Sequence, residues 1–189
     1  MTETIAREDD AASVSQPTNG TAPTPENPRR RAIGALRFAI ENTDPGTVAK
    51  LRRMDASDPP AAFYRLSVGP LDELLATEQG EWRNEAEKGW AVIVGAMARG
   101  IDFLDAYTPF GAALARAGVA ESRVIRLLEA RREQLPELVR HAVQQLVQKG
   151  QSWSPHDLAD LVLARDDNRE PRRRIARGFY RHTDRKDAT

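Results

Sequence analysis

The residues best equipped for chemistry in this 189-residue sequence are its arginines, which supply 24 of the 28 basic side chains. A guanidinium presents a planar fork of N–H donors that matches two phosphate or carboxylate oxygens at once, which a lysine ammonium cannot do. The arginines fall in groups. Arg52 and Arg53 follow Lys50, and Arg65 stands a little further on. Arg123 and Arg126 are one helical turn apart, with Arg131 and Arg132 behind them and Arg140 beyond. Arg172, Arg173, Arg174 and Arg177 precede Phe179, Tyr180 and Arg181. Any single group reads as a solvated helix face. Together they point to a polyanion partner.

Net charge conceals this, because 28 basic side chains balance 28 acidic ones. Residues 1–28 hold one base (Arg7) against five acids (Glu3, Glu8, Asp9, Asp10, Glu26). Residues 29–71 hold eight bases against four acids, residues 72–105 three against eight, and residues 106–189 sixteen against eleven. The body is polarised, with two basic ends around an acidic middle, and such separation can create a binding face in a neutral chain.

Catalytic and metal chemistry find no foothold. The absence of cysteine excludes disulfides, thiolate metal sites and cysteine nucleophiles. No two of His141, His156 and His182 stand at a metal-binding helical spacing from one another. Asp166 and Asp167 stand before a helix start, where carboxylates suit the dipole. Glu81 and Glu85 share a charged face with Arg83, Glu87 and Lys88. Neither a phosphate-cradling glycine loop nor a nucleophile elbow occurs. We expect no enzyme activity, no metal, no cofactor and no small-molecule substrate. No apolar run approaches the roughly 20 residues of a membrane span, and no secretory signal is visible. The expectation is a cytoplasmic protein without membrane contact.

Helices must position the arginines. Ile33, Leu36 and Ile40 form one apolar stripe, and Ala86, Trp90, Ile93, Val94 and Met97 another. Leu135, Leu138, Val139, Ala142, Val143, Leu146 and Val147 repeat at helical spacing without a break. Leu158, Leu161 and Val162 follow, then Ile175, Ala176 and Phe179. Asp44-Pro45, Asp58-Pro59 and Ser154-Pro155 each pair a capping side chain with a proline suited to the first turn. Asp167 with Glu170, and Ser154 with Asp157, have capping-box spacing. Lys149-Gly150 reads as a last turn and its left-handed cap. No stretch alternates with the period of a strand. The prediction is all-α: a compact helical bundle over residues 29–182, a disordered acidic N-terminal tail over 1–28, and a short C-terminal tail over 183–189.

One segment, LARAGVAESRVIRLL (Leu114–Leu128), has the outline of a DNA-reading helix-turn-helix, with Gly118 at the turn and Val124 and Leu127 as packing positions. The small residue wanted four before the glycine is instead Leu114, and no dimerisation helix is evident. A sequence-specific regulator is the alternative reading.

A broader resemblance runs through VAKLRRM (Val48–Met54), AAFYRL (Ala61–Leu66), GAALARAG (Gly111–Gly118), ESRVIRLLEARREQLPELVRHAV (Glu121–Val143) and RRRIARGFY (Arg172–Tyr180). In that order, over about Arg31–Arg181, the chain resembles the CasB family, the small subunit of the type I-E CRISPR Cascade complex. The resemblance implies a non-catalytic helical subunit of an RNA-guided antiviral assembly. Its partners would be other Cascade subunits, a second copy of itself, and the crRNA–target DNA R-loop. By this resemblance Arg52, Arg53, Arg123 and Arg140 are the leading nucleic-acid-binding candidates, with Arg65 and Arg126 beside them. Backbone contacts suit that task, since opening DNA against a guide is a near-balanced exchange that a few contacts can tip.

Overall fold

The computed structural model describes residues 27–165 and 167–187. The acidic tail expected over 1–28 therefore lies almost wholly outside the described residues, as does Asp166. Within them run ten α-helices: α1 (Pro28–Glu41), α2 (Pro45–Arg53), α3 (Ala61–Ser67), α4 (Asp72–Ala76), α5 (Glu81–Arg99), α6 (Phe110–Arg116), α7 (Glu121–Glu129), α8 (Leu135–Gln148), α9 (Pro155–Val162) and α10 (Glu170–Asp187). Two 3₁₀ turns, Ile101–Phe103 and Arg132–Gln134, lead out of α5 and into α8. No strand is formed among the described residues, only the isolated bridges Asp55–Asp58 and Leu104–Trp153. The all-α expectation holds. The last helix continues past residue 182, where the sequence suggested a tail, to Asp187.

The longest helix, α5, is the hub: its C-terminal half is buried almost all round, from Gly89 to Ala98. It packs against α2, α8 and α9. The apolar stripes converge there in one core that includes Leu36, Leu51, Ile93, Met97, Leu146 and Leu158. A second tight contact joins α6 and α10, whose backbones meet at Gly111 and Gly178.

Several ends form as the sequence predicts. The Asp44 carboxylate accepts from the Thr47 N–H at 2.9 Å and caps α2. Ser154 caps α9, accepting from the His156 N–H. Gly150 adopts φ +60°, and Gln151 N–H donates to the Leu146 carbonyl at 2.9 Å, closing α8 with a left-handed cap. Three ends differ. Asp58 does not cap α3, which starts after Pro60 without a side-chain cap. The turn before it is held instead by Asp55, which accepts from Ser57 N–H and Oγ. Glu170 N–H is capped by Asn168 rather than Asp167. Asp157 turns away from its own helix, accepting from the Phe110 N–H at 3.1 Å at the start of α6 and from Arg174 on α10.

Candidate nucleic-acid interface

The C-terminal ends of α2 and α5 meet side by side, and this brings arginines distant in sequence together. Arg52 Nε donates to the Ala98 carbonyl at 2.8 Å, and the Arg99 guanidinium reaches the Arg52 carbonyl in return. Each helix end thus lends an arginine to the other's orphan carbonyls, which also favours the dipoles. Arg52, Arg53, Arg99 and Arg140 line one open cleft of about 510 Å³ between this junction and the start of α8. Burial and then the neighbouring charges of Arg140 and Arg52 pull the Arg99 pKa down, while Glu137 opposes the shift. Cations crowded enough to disfavour one another's charge are stabilised by an arriving anion.

Arg140 is not idle. Its Nε donates to Glu137 at 3.0 Å and its Nη2 to the other oxygen of the same carboxylate. That hydrogen bond holds the Glu137 carboxyl below its ordinary range and raises Arg140 above its own. His141 Nε2 lies 3.1 Å from the same carboxylate.

Across the exposed ridge of α8, a second cleft of about 410 Å³ opens between α7 and α8, with Arg123 and Arg126 on one wall and His141 on the other. Neither arginine has an ion-pair or side-chain hydrogen-bond partner among the described residues. Arg140 and His141, adjacent on the ridge and 3.3 Å apart, join the two clefts into one basic track. The track gathers Arg52, Arg53, Arg123, Arg126 and Arg140. Arg65 lines neither cleft, standing exposed at the end of α3.

Sequence reading missed Arg99, because nothing around it is basic; only the packing of α5 on α2 reveals it. The C-terminal arginine cluster, by contrast, is largely committed to the fold. Arg172 donates to the Leu128 and Ala130 carbonyls at 2.9 and 3.0 Å, closing the end of α7. Arg174 pairs with Asp157 and Asp160, and Arg177 with Glu170. Arg132 likewise donates to the Ala164 carbonyl.

Among the described residues no group of three or more histidine or carboxylate side chains is placed to hold a metal ion, and no helix is long and apolar enough to cross a membrane. His156 is half-buried, and burial followed by the nearby Arg30 charge lowers its pKa.

The fold and these clefts define an all-helical protein with arginine-lined clefts on its surface. The chain belongs to the CRISPR-associated protein Cse2 family, whose model matches residues 47–180. Its fold is similar to that of CasB from Thermus thermophilus, at TM-score 0.62 and 23% identity over 82% of this chain and 98% of that one. M. ruber CasB is similar at TM-score 0.61 and 22% identity, covering 86% of this chain and 97% of that one. A chain in the crystal structure of E. coli Cascade bound to a PAM-containing dsDNA target is similar at TM-score 0.59 and 21% identity, covering 80% and 96%. Among curated proteins none matches the chain.

The family match corrects the regulator alternative. Helices α6 and α7 do form a helix–turn–helix around Gly118, whose φ is +69°. Their segment is nonetheless one part of the longer family pattern. Leu114, where a reading motif wants a small residue, is fully buried.

Proposed function

We propose that this chain is a non-catalytic small subunit of an RNA-guided type I-E Cascade complex, and that its basic track clamps the backbone of the opened R-loop. The observation that carries this reading is the convergence of Arg52, Arg53, Arg99 and Arg140 on one cleft, continued across α8 to Arg123 and Arg126. Forked donors on rigid helices contact phosphates without reading bases, which leaves sequence choice to the guide. Likeness to a chain of the DNA-bound E. coli Cascade supports other Cascade subunits and target DNA as partners here, while a second copy of this chain and the guide belong to the reading through the family resemblance. Arg65 belongs to the proposal through resemblance alone.

The test is a salt titration of target-DNA binding by the assembled complex, comparing wild type with a variant carrying Arg52, Arg53, Arg123 and Arg140 all changed to alanine. Each phosphate contact contributes roughly −0.7 to −0.9 to the slope of log affinity against log salt, so the variant should flatten it by about 3. Affinity should fall on every target sequence. An unchanged slope, with binding lost on one sequence alone, refutes the clamp.

A further inference from the structure

The cleft between α7 and α8 is built differently from its neighbour across the ridge. Its floor is apolar: Val119, Val124, Leu127, Leu138 and Ala142. Its rim carries Arg123 and Arg126 on one side and three amides, Gln144, Gln145 and Gln148, on the other. None of the three amides is engaged in a hydrogen bond among the described residues. Gln144 and Gln148 are exposed and lie one turn apart on α8.

A phosphate has no use for such a floor, since an ion over apolar surface loses hydration and gains nothing in exchange. An unstacked base has the opposite character, with a flat apolar face and a polar edge. Proteins that hold single strands use just this division, covering the face with apolar surface and meeting the edge with donors and acceptors. We infer that the α7–α8 cleft is a nucleobase site, holding one unpaired base with its face on the Val124–Leu138 floor and its edge toward Gln144 and Gln148, while Arg123 and Arg126 grip the flanking phosphates. This deepens the clamp reading and rests on it.

The site requires a base without selecting one. An amide carries an acceptor and donors side by side, and each of the four bases offers an adjacent donor and acceptor on its pairing edge. Any base rotated into the cleft can therefore meet a glutamine. That tolerance suits a protein working on strands whose sequence another molecule specifies.

The experiment measures fluorescence anisotropy of the full chain with two labelled single strands of equal length at fixed low salt. One is mixed-sequence DNA and the other an abasic backbone with the same number of phosphates. The abasic strand should bind about tenfold more weakly, the equivalent of one or two hydrogen bonds and the apolar contact. Changing Gln144 and Gln148 together to alanine should close most of that gap and leave the salt slope unchanged, because no charge is removed. The variant should fold, since both positions are exposed and alanine is the better helix former; circular dichroism checks it. Equal binding of the two strands by wild type overturns the nucleobase site and leaves the clamp standing. A gap that survives undiminished in the variant overturns it too. Binding of neither strand removes the clamp reading and, with it, this one.

Discussion

Arg140 meets any ligand with its guanidinium already held by Glu137, whose carboxylate also lies against His141. An incoming phosphate must compete with that carboxylate or share the arginine with it. Changing Glu137 to Gln removes the competing charge from the centre of the track. Binding of target DNA should tighten several-fold at low salt, and the salt slope should steepen by up to about 1. A slope and affinity equal to wild type would mean that Glu137 does not restrain Arg140. Arg52 and Arg53 should separate in stability, though both line the same cleft. Arg52 donates to the Ala98 carbonyl, and its own carbonyl receives Arg99, whereas Arg53 has no such partner among the described residues. Chemical denaturation should show Arg52→Ala costing about 1 kcal/mol and Arg53→Ala no more than about 0.5 kcal/mol. Equal losses would place the α2–α5 junction's strength elsewhere. Sequence alone marked both residues as binding candidates; it could not show that one also ties two helix ends together.

At the scale of elements, what the sequence revealed depended on length and repetition. Helices α5 and α8 were legible because 19 and 14 residues give an apolar stripe several turns in which to repeat. Helices α3 and α4, with seven and five residues, carry too short a pattern and owe their form to packing rather than propensity. Five of the six arginines of the proposed track stood out in the sequence in short-range groups: Arg52 beside Arg53, and Arg123, Arg126 and Arg140 on neighbouring helices joined by a short turn. Arg99 did not, because Arg52, whose carbonyl it reaches, sits 47 residues away and meets it only through the α2–α5 contact. The arginines at the start of α10 misled in the opposite sense, since a run of charge does not disclose that Arg172 closes α7. The α6–α10 crossing offers an element-level prediction. A Cβ on Gly111 would stand 2.0 Å from the Ile175 carbonyl oxygen and 3.0 Å from the Phe179 nitrogen, both backbone atoms that cannot turn aside. Gly111→Ala should force the helices apart and destabilise by about 3 kcal/mol. Gly34, on an exposed helix face where an added Cβ would meet nothing within 4 Å, is the control. There alanine should stabilise by about 0.5–1 kcal/mol. Thermal melts of the two variants should move in opposite directions, and a Gly111→Ala melt at or above wild type would refute the crossing.

For the whole molecule the deciding quantity is how charge is shared between the folded body and the first 26 residues. Those residues hold five acids and one base, and without them the chain has 27 basic side chains against 23 acidic. A neutral protein thus becomes a cationic one with no change to the clefts. The cut must leave Asn27, whose side chain accepts from the Arg29 N–H at 3.0 Å and caps α1. Removing the cap would add a stability loss of about 1 kcal/mol that has nothing to do with charge. Loss of residues 1–26 should leave the melting temperature unchanged, since they offer no apolar stripe to the body. Its effect should fall on association with nucleic acid. Electrostatic steering depends on the summed field of the protein and raises the on-rate for an oppositely charged partner. That field is screened beyond a Debye length of about 8 Å at physiological salt and about 30 Å at 0.01 M. The shortened chain should bind single-stranded DNA faster and more tightly at low salt, and the advantage should shrink steadily as salt rises. Stopped-flow association across a salt series, beside a thermal melt, separates the outcomes. A melting temperature several degrees lower would show that the first 26 residues pack on the body. Identical association rates at every salt concentration would show that their charge never reaches the track.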